Sequence, residues 1–191
     1  MLLTLLRQFC RQADRIADVA GRLARWLLVA CITVSAANTI VRKVFATSSN
    51  AALELQWQLF AAAFLLSAGW TLKAGAQMRV DDLRLRLSSV VRDRLDLVLL
   101  LGLAFPVCVL FVVTAVELAV TSMGLRLVTD GGLSIARFAG PEYSRNPGGL
   151  AVWPIKSLVV LGFFLLALQV LAEAGKLVLR LRAPVPEAPP T

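Results

Sequence analysis

Apolar residues gather into four long runs along the chain, separated by shorter polar stretches. The runs cover about residues 23–45, 53–72, 95–123 and 152–175. Each reaches roughly the 20 residues that an α-helix needs to cross a hydrocarbon layer about 30 Å thick. The pattern therefore predicts an all-α membrane protein with four transmembrane helices, in a single membrane domain that covers residues 1–182.

Proline and glycine mark the irregular parts of this plan. Pro106 lies inside the third run, where its missing amide hydrogen predicts a kink or a tilt of the helix. The stretch 124–151 is rich in Gly, Pro, Ser and Asn, which is typical of a turn-rich connection. The tail 183–191 has four prolines in nine residues, and we expect it to be extended and disordered.

Two segments outside the apolar runs are amphipathic. Residues 1–25 place leucine, isoleucine and valine among five arginines, which suits a helix that leads into the first run. Residues 80–94 are too charged to span a bilayer, and their apolar positions have helical spacing. We expect an interfacial helix there, capped by Asp81 or Asp82, although the Leu-Arg-Leu-Arg-Leu alternation also suits a strand.

Basic residues predict the orientation of the chain in the membrane. Fourteen of the 20 lysines and arginines lie before or at the start of the first run, between the second and third runs, or after the fourth. The other six lie in or near the remaining connections. Because cytoplasmic segments carry the excess of Lys and Arg, both termini are expected in the cytoplasm, and the 124–151 loop faces outward.

Composition excludes several classes of function. Hydrophobic residues make up 58% of the 191, and the net charge of +8 comes from basic residues beside apolar runs, so nucleic acid is not an expected partner. The chain has no histidine, which removes bis-histidine haem, histidine-ligated metals and a Ser-His-Asp triad. The three cysteines lie far apart in the sequence and do not have metal-ligand spacing. We expect no catalytic residue, no cofactor site and no metal site in this chain.

Ionisable residues at membrane depth are candidates for function because they are costly in lipid. Glu54 begins the second run and Glu117 lies toward the end of the third, at the level expected for Lys156. Each carboxylate either reaches the interface or pairs with a cation, and Glu117, with its apolar neighbours, favours a partner in this chain or in another subunit. Trp57 and Trp153 lie near run ends, as in an interfacial aromatic belt.

Short motifs in a fixed order give the chain a family resemblance. The pieces are Leu53-Glu54-Leu55-Gln56-Trp57, Met78-Arg79-Val80-Asp81, Glu142-Tyr143-Ser144 with Gly148-Gly149-Leu150, and Trp153-Pro154-Ile155-Lys156. In this order they resemble the small (DctQ-type) membrane subunit of tripartite ATP-independent periplasmic (TRAP) transporters over about residues 20–180. Within that family the chain looks most like the branch of mannitol, chloroaromatic and 2-oxo acid relatives. Many relatives carry a histidine where this chain has Gln77, so the resemblance does not extend to a proton-titrating role at that position.

The resemblance implies a division of labour among three proteins in a bacterial inner membrane and periplasm. A large permease subunit holds the sodium and solute sites, a periplasmic solute-binding protein delivers an organic acid or related solute, and the small subunit scaffolds the permease in the lipid. This chain then needs no cofactor, since sodium binds to its partner. The residues expected to carry family motifs or subunit contacts are Glu54, Trp57, Arg79, Asp81, Glu117, Glu142, Ser144, Trp153 and Lys156.

Two other functions fit four apolar helices. One is a membrane anchor subunit of a redox enzyme, against which the missing histidine argues. The other is a small homo-oligomeric channel, for which several copies together have to supply a polar pathway. Copurification distinguishes the three functions. A large permease partner indicates the transporter subunit, a redox partner indicates the enzyme anchor, and a pure homo-oligomer indicates the channel.

Overall fold

The computed structural model describes residues 2–45, 49–75, 88–130, 133–138, 140–146 and 149–182. Four stretches of helix in it are long and apolar enough to cross a membrane: Leu3–Phe45, Asn50–Lys73, Val90–Ser122 and Trp153–Leu181. The predicted all-α membrane fold with four spans is therefore confirmed. The tail 183–191 lies outside the described residues.

The first helix, α1, runs without interruption over Leu2–Phe45, for 44 residues. The amphipathic stretch and the first apolar run predicted from the sequence are thus parts of one helix. No proline occurs in this range, so every amide after the first turn can bond to the carbonyl four residues earlier.

The second helix, α2, covers Asn50–Lys73 and begins with a side-chain cap. Ser49 has extended backbone angles, and its hydroxyl accepts a hydrogen bond from the amide of Ala52 at 3.4 Å. This satisfies one of the amides that a helix leaves without an internal partner. The chain leaves the other end through Gly75, whose φ of 63° suits a residue without a side chain.

The third span consists of α3 (Ser89–Leu99), a π-helical turn (Leu100–Ala104) and α4 (Phe105–Ser122). In the π-turn, the amide of Phe105 donates to the carbonyl of Leu100, five residues earlier. The wider turn ends at Ala104, two residues before Pro106, whose ring has no amide hydrogen to donate. The kink or tilt expected at Pro106 stays a prediction.

The interfacial helix expected at residues 80–94 is described only in its last part. Residues 76–87, including Arg79, Asp81 and Asp82, lie outside the described residues. The remaining residues, from Ser89 onward, form the first turns of α3 and continue directly into the third span. The helix therefore begins earlier than the predicted residue 95.

A β-hairpin follows α4, in the stretch for which the sequence predicted only turns. Strands β1 (Leu125–Asp130) and β2 (Leu133–Phe138) pair antiparallel, with Leu125 opposite Phe138 and Asp130 opposite Leu133. The sequence signal was the Asp-Gly-Gly segment between two alternating stretches, which is typical of a tight hairpin. The hairpin lies between the third and fourth membrane-length helices and is not part of either.

The fourth span is α5 (Trp153–Arg182), and it packs against each of the other three spans. Small residues bring α1, α2 and α5 close together. Ala20 and Ala24 of α1 pack against Ala63 and Leu66 of α2, with Leu158 and Leu165 of α5 beside them. Such close approach of helix backbones through small side chains is typical of packing in membranes, where lipid removes the hydrophobic driving force.

The third span packs against the opposite side of α5. The rings of Phe111 and Phe163 stack there, with centroids 4.6 Å apart and planes 7° from parallel. In the most apolar 18-residue stretch of this span, only 6% is buried inside the chain. Its remaining surface is apolar and open to lipid or to another subunit.

Candidate functional site

Polar side chains collect at both ends of the helix bundle. One end, which we call the Glu54 end, contains the starts of α2 and α5 and the end of α4. The other, the Lys176 end, contains the end of α2, the later turns of α5 and the first half of α1.

Glu54 is the centre of the polar contacts at its end. It lies in the first turns of α2 and is only 4% exposed. Its Oε1 accepts hydrogen bonds from the Ser144 hydroxyl and, at 2.8 Å, from Nδ2 of Asn146, while its Oε2 accepts from the Leu150 amide at 2.7 Å. Three donors from one loop therefore hold a single carboxylate.

Backbone hydrogen bonds shape the loop that supplies these donors. The Glu142 amide donates to the carbonyl of Ser122 at 2.9 Å, which fixes the loop to the last turn of α4. The Val152 amide donates to the Glu142 carbonyl at 3.0 Å, and the Ser144 amide donates to the Leu150 carbonyl at 2.9 Å. The loop therefore closes on itself, with its Ser144 side presented to α2.

A salt bridge lies beside this contact. Nζ of Lys156, in the first turn of α5, is 2.5 Å from Oε2 of Glu142, and the Glu142 side chain is 52% exposed. Nε2 of Gln58 also donates to the Ala151 carbonyl at 3.5 Å. Together these contacts join α2, the loop, α4 and α5 at one end of the bundle.

The structure brings four of the predicted site residues together: Glu54, Glu142, Ser144 and Lys156. Sequence reasoning left Glu54 either at the interface or paired with a cation. Among the described residues, its carboxylate is bonded by uncharged donors. Its link to Ser144 joins two family-motif pieces that are 90 residues apart.

The other predicted residues stand apart from this contact. Glu117 is exposed on α4, and its carboxylate has no hydrogen-bond or ion-pair partner among the residues that the structure describes. Trp57 and Trp153 are exposed near the starts of α2 and α5, and their place in an interfacial belt stays a prediction. Arg79 and Asp81 lie outside the described residues.

The Lys176 end has a second polar network. Nζ of Lys176 lies 2.7 Å from Oδ1 of Asp14 and 2.7 Å from Oε1 of Glu173. Nε2 of Gln169 donates to the same two oxygens, each at 3.0 Å. One ammonium and one amide of α5 thus hold a carboxylate of α1 against the helix.

A further salt bridge ties α1 to α2 at this end. Nζ of Lys73 lies 2.6 Å from Oδ2 of Asp18 and donates to the Asp14 carbonyl at 3.3 Å. Sequence reasoning did not select Asp14 or Asp18. The available signal was the spacing of Gln169, Glu173 and Lys176, which places three polar groups on one face of an apolar helix.

The geometry of both ends indicates a role in holding helices together. Glu54, Glu142, Asp14 and Asp18 are each engaged by donors of another element, whereas Glu173 is bonded within its own helix. The two networks therefore join elements that are distant in sequence. Among the described residues, no group of three or more Cys, Asp or Glu side chains is arranged to hold a metal ion. Small residues fill the contacts between α1, α2 and α5.

Comparison with known proteins agrees with this architecture. Residues 31–180 match the family model described as "Tripartite ATP-independent periplasmic transporters, DctQ component". No curated protein and no solved structure matches the chain. The family places the chain in the inner membrane as a multi-pass component of a transporter, not an enzyme. Because the match covers more than half of the chain and reaches all four spans, the chain belongs to the DctQ family and is the small membrane subunit of a TRAP transporter.

Proposed function

We propose that this subunit is a rigid scaffold for the large permease subunit of a sodium-coupled transporter that imports an organic acid or a related solute. The observation that carries the proposal is that polar contacts tie the helices at both ends of the bundle. Glu54 binds the 142–150 loop at one end, and Asp14 and Lys176 join α1 to α5 at the other. A helix bundle fixed at both ends suits a subunit that keeps its structure while the large permease subunit moves.

The proposed orientation places the Lys176 end in the cytoplasm and the Glu54 end in the periplasm. The support is the distribution of basic residues, since Arg7, Arg11 and Arg15 of α1 and Arg180 and Arg182 of α5 all lie at the Lys176 end. The hairpin and the 140–151 loop then face the periplasm. They offer the solute-binding protein a surface that is attached to the end of α4 and the start of α2.

The apolar surface supports assembly with a membrane partner. Val98, Leu103, Leu110 and Val113 of the third span are each more than 60% exposed. Lipid covers part of such a surface, and the large subunit covers the rest. Sodium and solute are proposed to bind in that partner, in keeping with the division of labour that the family resemblance implies, so that this chain carries no cofactor of its own.

Reconstitution tests the scaffold role directly. Proteoliposomes are prepared with this chain alone, with the large subunit alone and with both, and uptake of labelled 2-oxo acids and aromatic carboxylates is driven by a sodium gradient in the presence of the binding protein. We expect uptake only when both membrane subunits are present. Uptake by this chain alone would contradict the scaffold role.

A second measurement separates the scaffold from a homo-oligomeric channel. The tagged chain is purified in mild detergent from cells that also produce the large subunit, and the complex is analysed on a sizing column. Copurification of the large subunit in fixed ratio supports the scaffold role. A pure homo-oligomer that conducts ions in a planar bilayer supports the channel.

A further inference from the structure

The first half of α1 carries a continuous arginine face. At 3.6 residues per turn, its five arginines fall within about 80° of the helix circumference. The buried residues Ala13, Ala17, Ala20 and Ala24 lie on a different side and pack toward the rest of the bundle. The arginine face consists of Arg7, Arg11, Arg15, Arg22 and Arg25.

Two members of this face are open to the surroundings. Arg22 and Arg25 are exposed, and neither has a hydrogen-bond or ion-pair partner within the described ranges of the chain. With Trp26 and Val29 they line a shallow concavity of about 340 Å³. Trp26 is 73% exposed, so a large aromatic surface lies next to two guanidinium groups.

The packing of α1 against α2 sets the depth of these arginines. Lys73, the last residue of α2, pairs with Asp18, and farther along the helices Ala24 packs against Ala63 near the middle of α2. Arg25 therefore lies about 10 Å beyond Asp18 along α1, at a rise of 1.5 Å per residue. It is next to the middle of a membrane-length helix, not at its end.

A guanidinium at this depth is unfavourable in lipid unless a counter-charge neutralises it. Phospholipid phosphates stay at the headgroup level, and a membrane-length helix such as α2 is expected to reach that level at its ends, here at Lys73. A carboxylate on a neighbouring membrane helix reaches the required depth and forms the bidentate pair that the planar guanidinium favours. The aromatic surface of Trp26 adds apolar contact beside such a pair.

We infer that Arg22 and Arg25, together with Trp26, dock a membrane helix of the large permease subunit that carries an aspartate or glutamate at mid-depth. The inference rests on the proposed function, because it assumes that the two subunits form a complex. Beyond the proposed function, the inference specifies which side of this chain faces the large subunit, and that the group bound there is a carboxylate.

Leucine substitutions test the inference without harming insertion into the membrane, because leucine is more favourable than arginine in hydrocarbon. Arg22→Leu, Arg25→Leu and the double variant are produced with the large subunit, and the copurified large subunit is measured against the amount of tagged chain. Arg7→Leu is the matched control, since it changes the same face near the start of α1. We expect the double variant to weaken the complex about thirtyfold or more, and the control to leave it unchanged.

The outcomes separate this inference from the proposed function. If the wild-type chain does not copurify with the large subunit, the proposed function fails first. If the wild-type complex forms and the double variant retains it, the docking inference is overturned and the scaffold role stands.

A photo-crosslinking amino acid in place of Trp26 identifies what covers the arginine face. A crosslink to the large subunit is expected, with the same yield in nanodiscs made only of phosphatidylcholine. A crosslink that reaches only residues 76–87 of this chain overturns the inference in favour of an internal partner. A complex that forms only when anionic lipid is supplied overturns it in favour of a lipid phosphate.

Discussion

The Ser144 hydroxyl donates a hydrogen bond to Oε1 of Glu54 and so joins the loop before α5 to the start of α2. The two residues are 90 positions apart in sequence. Asn146 and Leu150 complete the set of donors. The loop therefore binds the carboxylate through a side-chain hydroxyl, a side-chain amide and a backbone amide. A carboxylate, with only acceptor oxygens, fits all three donors at once.

Glu54→Gln is expected to weaken this contact, because the new amide group turns a donor toward a donor of the loop. The free energy of unfolding should fall, and the melting temperature of the detergent-purified subunit should drop by several degrees. Glu117→Gln is the matched control, since the Glu117 carboxylate is exposed on α4 and makes no described bond. Equal melting temperatures for the two variants would show that the Glu54 contact does not stabilise the fold.

The salt bridge between Lys156 and Glu142 is expected to matter less. Glu142 is half exposed, and exposed ion pairs contribute at most about 1 kcal/mol to the free energy of unfolding. A double-mutant cycle with Lys156→Met and Glu142→Gln measures the coupling between the two side chains. A coupling well above this value would indicate that the pair lies in lipid or against another subunit.

Lys176→Met is expected to destabilise the Lys176 end, because it leaves the carboxylates of Asp14 and Glu173 close together without their shared cation. These side chains are about one-quarter exposed, so we expect a loss of about 2 kcal/mol, less than for a fully buried pair. Lys73→Met is the comparison, since its partner Asp18 is 48% exposed and the loss should stay below about 1 kcal/mol. Chemical denaturation in detergent gives both values, and the reverse order would contradict the assignment.

Gly21 is expected to tolerate no side chain. A Cβ atom built there lies 2.7 Å from Cγ of Trp70, so Gly21→Ala must push α1 away from α2. We expect a loss of about 1–3 kcal/mol from this overpacking. Gly69→Ala is the matched control in the neighbouring helix, where the new Cβ finds its nearest atoms at an ordinary 3.7 Å. Similar denaturation midpoints for the two variants would show that the helices can separate freely.

Glu117 is expected to contribute to assembly, not to the fold of the isolated chain. If it pairs with a cation of another subunit, Glu117→Leu should be tolerated better than Glu117→Lys, which places a like charge beside that cation. The measurement is sodium-driven uptake divided by the amount of complex recovered on a sizing column. An inactive Glu117→Leu variant with a normal yield of complex would indicate that Glu117 carries ions or protons, and would overturn the scaffold role.

The four spans could be predicted from sequence because membrane insertion depends on long local runs of apolar residues. Local pattern also identified Glu54 as costly at its depth. Local pattern did not reveal the hairpin Leu125–Phe138, because a general excess of turn residues in the surrounding loop hid two short alternating strands.

The partners of the charged residues could not be predicted, because they depend on contacts between distant parts of the chain. Asp14 meets Gln169 from 155 residues away, and the sequence around it reads as an ordinary solvated helix face. For Glu54, sequence reasoning offered either the interface or a cation at a similar level. The structure instead supplies amides and a hydroxyl, whose placement depends on the backbone of the 142–150 loop.

The uninterrupted course of α1 has a mechanical consequence for the transporter. A straight helix of 44 residues is about 66 Å long, which is more than twice the thickness of the hydrocarbon layer. Its only glycine, Gly21, packs against Trp70, and it contains no proline, so the residue types at which long helices most often kink are absent or held in place. We therefore expect α1 to move as one unit from its first turns to Phe45. In the proposed scaffold role, α1 supplies a single element that crosses the whole bilayer, beside which a partner subunit can move.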